Sequence, residues 1–145
     1  MIRVQVKVDT DKPVEALKNI EKAVEDLRPV FRKAEKDLSD IYTKHFTSNG
    51  SGKWKPLDAE YGAWKSANYP GRPTLVQSGN LFRTIKKFSV REINKNNARF
   101  GTDAKVAKFH QYGTWSMPKR EIIFEPPLFA RKLARDIADH IEDSI

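Results

Sequence analysis

The sequence predicts an α+β fold in a single domain: a small antiparallel sheet packed against a long N-terminal helix and a C-terminal helix. Two patterns and a length carry this expectation. Apolar residues recur in alternating steps of three and four over residues 17–45, which is a helical seam. Two short runs near 86–94 and 97–102 are joined by Asn94-Lys95-Asn96-Asn97, a polar hairpin turn. The chain has 145 residues, enough for one core.

The elements follow in order. Ile2, Val4, Val6 and Val8 alternate with polar residues, the period of a half-buried strand. Thr10 and Asp11 offer N-cap oxygens, and Pro13 suits a first helical turn. The seam then runs through Leu17, Ile20, Val24, Leu27, Phe31, Ala34, Leu38, Ile41 and His45. Pro29 lacks a donor and crowds the preceding turn. Two nearly collinear helical segments are therefore expected, 13–28 and 29–46, making 1–47 a strand and a long helix.

Asn49-Gly50-Ser51-Gly52 stops the helix. Residues 48–77 read as an irregular loop, rich in Pro and aromatic residues. A loop of that length holding Trp54 and Trp64 is expected to pack on the domain or to be ordered by a partner. Residues 78–125 read as the sheet region. It opens on a short helix capped by Ser78, and a further short helix at 104–112 is stopped by Gly113. Glu121-Ile122-Ile123-Phe124 reads as a last strand. Residues 126–145 read as the C-terminal helix, with a stripe of Phe129, Leu133, Ile137 and Ile141.

Composition narrows the function. Hydrophobic residues make up 39% and charged residues 32%, a modest core with long solvated or partner-facing surfaces. The absence of cysteine excludes disulfides and thiolate metal sites. No apolar run approaches the ~20 residues of a membrane span, and the N-terminus does not read as a signal peptide. The net charge of +8 is uneven: residues 83–120 carry 10 basic and 2 acidic groups, whereas residues 121–145 carry 3 and 6. Lys86, Lys87, Arg91, Lys95 and Arg99 in the central segment are candidates to face DNA or an acidic partner.

Catalytic equipment is sparse. His45, His110 and His140 have no metal-ligand spacing, and no Gly-x-Ser-x-Gly elbow or Gly-rich phosphate loop is present. No cofactor, metal or small-molecule substrate is expected. His45 reads as the end of the helical seam and His140 as solvated. His110 and Gln111 read as a pair that holds the turn to the next strand. Arg120 is expected to bond a carboxylate or carbonyl near the last strand. Trp54, Trp64, Trp115 and the tyrosines are residue types that anchor interfaces or cores.

Four motifs occur in a telling order. They are Gly52-x-Trp54-x-Pro56-Leu57 with Lys65 after it, and Leu75-x-x-Ser78-Gly79-x-Leu81. Gly101-Thr102 with Ala107-x-x-His110-Gln111-x-Gly113 follows, then Pro118-x-Arg120. Over roughly residues 38–125 the chain resembles the phage virion morphogenesis family, which includes tail-completion proteins of the head–tail neck. The resemblance implies a non-enzymatic assembly role in the virion, as an oligomeric ring at the neck assembled in the host cytoplasm. The implied partners are copies of the chain, neighbouring connector and tail-end proteins, and genomic DNA in the channel. The alternative is a non-catalytic, basic nucleic-acid-binding protein.

Overall fold

In the computed structural model of the chain, residues 11–145 are described, together with Arg3 and Gln5. The strand expected at the N-terminus lies outside the described residues. Six helices and one two-stranded antiparallel sheet are found among those described.

Helix α1 spans Asp11–Glu25 and α2 spans Arg28–Thr47. The break falls at Asp26-Leu27, so that Pro29 lies in the first turn of α2, where its missing N–H costs nothing. Asp26 braces the break. Its carboxylate accepts from Arg28 Nε at 2.8 Å and from Nη2 at 2.7 Å, and Arg28 holds its pKa down to about 2. Leu27 N–H, freed by the break, donates to Lys95 O at 2.7 Å. The break also ends the common seam. Along α2, Ala34 is buried and Leu38 and Ile41 pack on the core, but Leu17 and Val24 of α1 are exposed. The residue α1 buries is Ala23.

The segment read as irregular contains a helix, α3, over Ala59–Asn68. Asp58 caps it by accepting from Tyr61 N–H at 3.0 Å. Lys65 is the one residue of α3 that is buried, so no apolar stripe marks it in the sequence. The cap and the alanines at 59, 63 and 67 are the signal that finds it.

Helix α4 covers Asn80–Lys86, β1 Val90–Ile93, β2 Ala98–Gly101 and α5 Ala107–Tyr112. The hairpin register pairs Arg91 with Phe100 and Glu92 with Arg99. Because side chains alternate, Glu92 and Arg99 share one face and Arg91 and Phe100 the other. The latter face meets the body: Phe100 packs on Phe88, with ring centroids 5.4 Å apart, and Arg91 Nε donates to Glu35 Oε1 on α2 at 2.6 Å.

Residues 121–124 are not a strand. The chain there is irregular and bends at Ile123. Its neighbours are helices, which present no open ladder, and side chains bond its backbone instead.

Helix α6 spans Phe129–Glu142 and packs on α1 and α2. It runs antiparallel to α2. Lys33 Nζ donates to Asp136 Oδ1 at 2.7 Å, and Lys132 pairs with Asp37 and, at 3.6 Å, with Asp136. His140 is not solvated. Its Nε2–H points at Ala23 O (3.1 Å) and Asp26 O (2.9 Å), carbonyls at the C-terminal end of α1.

The core lies between α2, α4 and the segments flanking α5. Tyr42, Phe46, Trp54, Val76, Leu81, Ile85, Phe88, Ala107 and Ile122 form it. Phe46, Ile85 and Ile122 are fully buried, each stabilising the fold by roughly 1.5–3 kcal/mol relative to exposure.

Asp136 is buried between two cations that remain largely exposed, and the hydrogen bond from Lys33 holds its pKa below 3.8. A depressed carboxylate pKa contributes stability that is full above the unfolded value and is lost as pH falls through the folded one. Asp136→Asn should lower the unfolding free energy by about 1 kcal/mol at pH 7, the modest value reflecting solvent screening of Lys33 and Lys132. The difference between variant and parent should shrink below pH ~4. Urea titrations at both pH values measure it.

Candidate functional site

Three sets of side-chain bonds tie the segment 120–124 to the body. Gln111, in the last turn of α5, makes the first. Its Oε1 accepts from Ile122 N–H and Ile123 N–H, both at 2.9 Å, and its Nε2 donates to Ile123 O at 2.6 Å. The second set comes from α2 and the turn after it. His45 Nε2 and Trp54 Nε1 both point at Glu121 O, at 2.8 and 3.0 Å, and Tyr42 Oη donates to Phe124 O at 2.7 Å. A carbonyl can only accept, so His45 carries its proton on Nε2. The third is Arg120, whose N–H donates to His110 O at 2.8 Å. Its guanidinium, only 6% exposed, bonds Lys55 O at 2.8 Å and Pro56 O at 3.1 Å. Arg120 therefore ties 120–124 to the segment before α3, not to a neighbouring carboxylate.

Lys65 does the same for the next loop. It is 4% exposed, and its ammonium donates to Arg72 O (3.4 Å), Pro73 O and Thr74 O (3.0 Å). Burial lowers its pKa, and the charges of Arg120 and Arg72 lower it further. Glycines permit the close approaches. Gly50 has φ +69°, and a Cβ there would collide with the Trp54 indole. Gly113 ends α5 with φ +72°, and a Cβ would come within 2.9 Å of Lys119 N. Gly79, at φ +87°, opens α4, whose Leu81 enters the core.

Beside this polar lock lies a cleft of about 770 Å³. Pro56, Leu57 and Tyr61 line one part of it, Met117 and Pro118 another, and His110 and Arg120 also border it. His110 Nδ1 is buried with no hydrogen-bond partner. Burial lowers the His110 pKa, and the Arg120 charge adds to the effect. Of the hydroxyls bordering the cleft, Ser116 Oγ lies 3.3 Å from Thr114 Oγ1 and Tyr61 Oη 3.5 Å from Gln77 Oε1. Among the described residues no group of three or more His, Asp or Glu is placed to hold a metal.

Large apolar side chains stand exposed on either side. Trp64 stacks on Tyr61 at 5.7 Å between centroids, and both face solvent. Val106, Phe109 and Tyr112 lie in one row on and before α5, and Trp115 is 100% exposed. The aromatic residues of the sequence thus divide: Trp54 is core, whereas Trp64 and Trp115 are surface.

The basic residues singled out by sequence lie on several elements. Lys86 and Lys87 end α4, Lys95 sits in the hairpin turn, and Arg99 lies on the outer face opposite Glu92. Arg91 is taken up by Glu35. By contrast Trp54, Pro56, Lys65, His110, Gln111, Gly113, Pro118 and Arg120 come together around the cleft and the lock behind it. The Lys33–Asp136–Lys132 group had no sequence signal, because its members are far apart in the chain.

Gln111→Leu should leave two N–H groups and one carbonyl without partners and cost about 3 kcal/mol or more of stability. Chemical denaturation measures it. His110, whose folded pKa is depressed below 6.5, should make stability fall as pH drops below that value, since the unfolded chain takes up the proton first. In His110→Gln this slope between neutral pH and ~5 should flatten.

No curated protein and no solved structure matches the chain. The profile of the phage virion morphogenesis family does match, over residues 8–140, a span that takes in the polar lock, the cleft and the helices that frame them. The chain is therefore a member of the phage virion morphogenesis family and serves in the building of a phage particle.

Proposed function

We propose that the chain completes the tail, or joins head to tail, as one subunit of an oligomeric ring at the neck of a tailed phage, and that it works by contact and not by turnover. The supporting observation is how the family's motif residues are used. Lys65, Gln111 and Arg120 spend their polar groups on backbone carbonyls and amides, so they fix shape. The shape they fix presents an open cleft between exposed aromatic residues, the anatomy of a docking surface.

A chemical step would need a nucleophile within reach of a base. The orphaned Nδ1 of His110 hydrogen-bonds no hydroxyl of the cleft, and the Ser116 hydroxyl is paired with Thr114. The copies of the chain, the connector proteins and the tail-end proteins are then the partners. Lys86, Lys87, Lys95 and Arg99 are exposed and could line a DNA channel.

Phage lacking this chain should accumulate filled heads and tails that fail to join, and supplied protein should restore joining in an extract. Electron microscopy of the lysate scores both, and a gold-labelled subunit should mark the neck. Normal particles without the chain, or label along the tail shaft, would overturn the reading. Charge reversal at Lys86, Lys87 and Lys95 should leave joining intact and impair DNA retention if these residues line the channel.

A further inference from the structure

Two surfaces of complementary chemistry lie at opposite ends of α2. On the side of its C-terminal end, Val106, Phe109 and Tyr112 recur at steps of three, and Trp115 follows them. Lys105 and Lys108 flank the row, and Lys108 Nζ lies 5.3 Å from the centroid of the Phe109 ring. Behind the row, Gln111 and Gly113 fix the backbone of α5 to the segment 119–123.

The other surface is acidic. Since α6 runs antiparallel to α2, its last turn lies beside the start of α2 and the end of α1. Glu25, Asp139, Glu142 and Asp143 are exposed there, with Val24 and Ile145, both at least half exposed. Two cations in that neighbourhood are already engaged, Arg28 by Asp26 and Lys33 by Asp136. Lys95, Lys22 in the last turn of α1 and Arg135 one turn before Asp139 remain in that neighbourhood, so the acids outnumber them only at the tip formed by Asp139, Glu142 and Asp143. The 20 residues of α2 set the two surfaces about 30 Å apart, so they cannot meet within one copy.

Resting on the ring reading above, the geometry points to a head-to-tail contact in which the basic aromatic strip of one copy receives the acidic end of α6 of the next. Charge complementarity selects the partner's sign, and the apolar residues select its kind. A nucleic acid would reward a row of cations along a groove. This strip sets two lysines among four large apolar side chains, which suits a partner that brings apolar surface with its acids, as Val24 and Ile145 do. A contact between two different patches is heterologous, and it builds a ring when the rotation closes.

Charge exchange tests this. Lys105→Glu/Lys108→Glu forms one variant and Asp139→Lys/Asp143→Lys the other, each checked for native circular dichroism. Sedimentation velocity should show the parent chain associating with concentration, and each variant alone remaining monomeric at tenfold higher concentration. An equimolar mixture should regain association, because each variant's altered surface then meets a complementary one. Zero-length carbodiimide coupling of the parent should join Lys105 or Lys108 to Asp139, Glu142 or Asp143 between copies only. A parent that assembles unchanged through both reversals, or a mixture of folded variants that stays monomeric, overturns this contact and leaves the ring reading in place. A parent that is monomeric throughout and present as one copy per particle overturns both.

Discussion

The backbone of residues 120–124 is the constraint on which the rest depends. A buried extended segment must find partners for every N–H and C=O, or lose about 1–3 kcal/mol for each group left bare. Here no strand lies alongside, and apart from the bond of Arg120 N–H to His110 O the partners are side chains. Gln111 takes two amides and a carbonyl, His45 and Trp54 share the Glu121 carbonyl, and Tyr42 takes that of Phe124. Each of those side chains must then be where it is. That requirement places α5 beside the segment, sets the rotation of α2 about its axis, and brings the turn at Trp54 down onto the C-terminal end of α2. The core aromatics follow: Tyr42 packs edge-on to Phe124 at 5.4 Å, and Trp54 to Phe46 at 5.5 Å.

The two buried cations extend the same logic to chain segments that have no regular structure. Arg120 and Lys65 are each surrounded by carbonyl oxygens and meet no carboxylate. Burial and mutual repulsion disfavour the charge on Lys65, as its lowered pKa shows, so the carbonyls must offset that cost. In exchange the loops on both sides of the cleft are fixed to one body. An Arg fork can bridge two consecutive carbonyls where a Lys point charge cannot, and an ammonium suits the three carbonyls that converge on Lys65.

What could be read in the sequence follows from which of these interactions are local. The seam of α2, the hairpin with its Asn-rich turn, the Gly113 stop and the stripe of α6 are nearest-neighbour patterns, and they appear in the structure at close to the expected positions. The segment at 121–124 has the composition of a strand, and only the distant Gln111, Tyr42 and Trp54 decide that it is not one. Helix α3 buries a lysine instead of an apolar stripe, so periodicity passes over it. The seam does not continue as a buried face into α1, where Leu17 and Val24 are exposed beyond a break braced by Asp26 and Arg28 that the heptad count does not see. At the site, motif order carried the family resemblance, and the structure shows that Trp54, His110, Gln111 and Arg120 of those motifs also lie together. The way they do so, through backbone carbonyls and amides, rests on contacts between residues up to 67 positions apart.

An assembly subunit must stay dissolved while carrying surfaces meant to be buried. Large exposed apolar patches work against that, whereas net charge of one sign holds copies apart. This chain carries +8, with the excess in the segment that also holds the exposed row from Val106 to Trp115. The same lysines that keep that row from sticking to its like give it an attraction for an acidic surface. On the contact proposed above, such a strip would repel its own copy and favour an acidic one, a bias away from symmetric pairs and toward head-to-tail order. Stiffness completes the device. Gln111 and Arg120 fix the backbone on which the strip and the cleft are built, so docking need not supply the entropy of ordering that backbone.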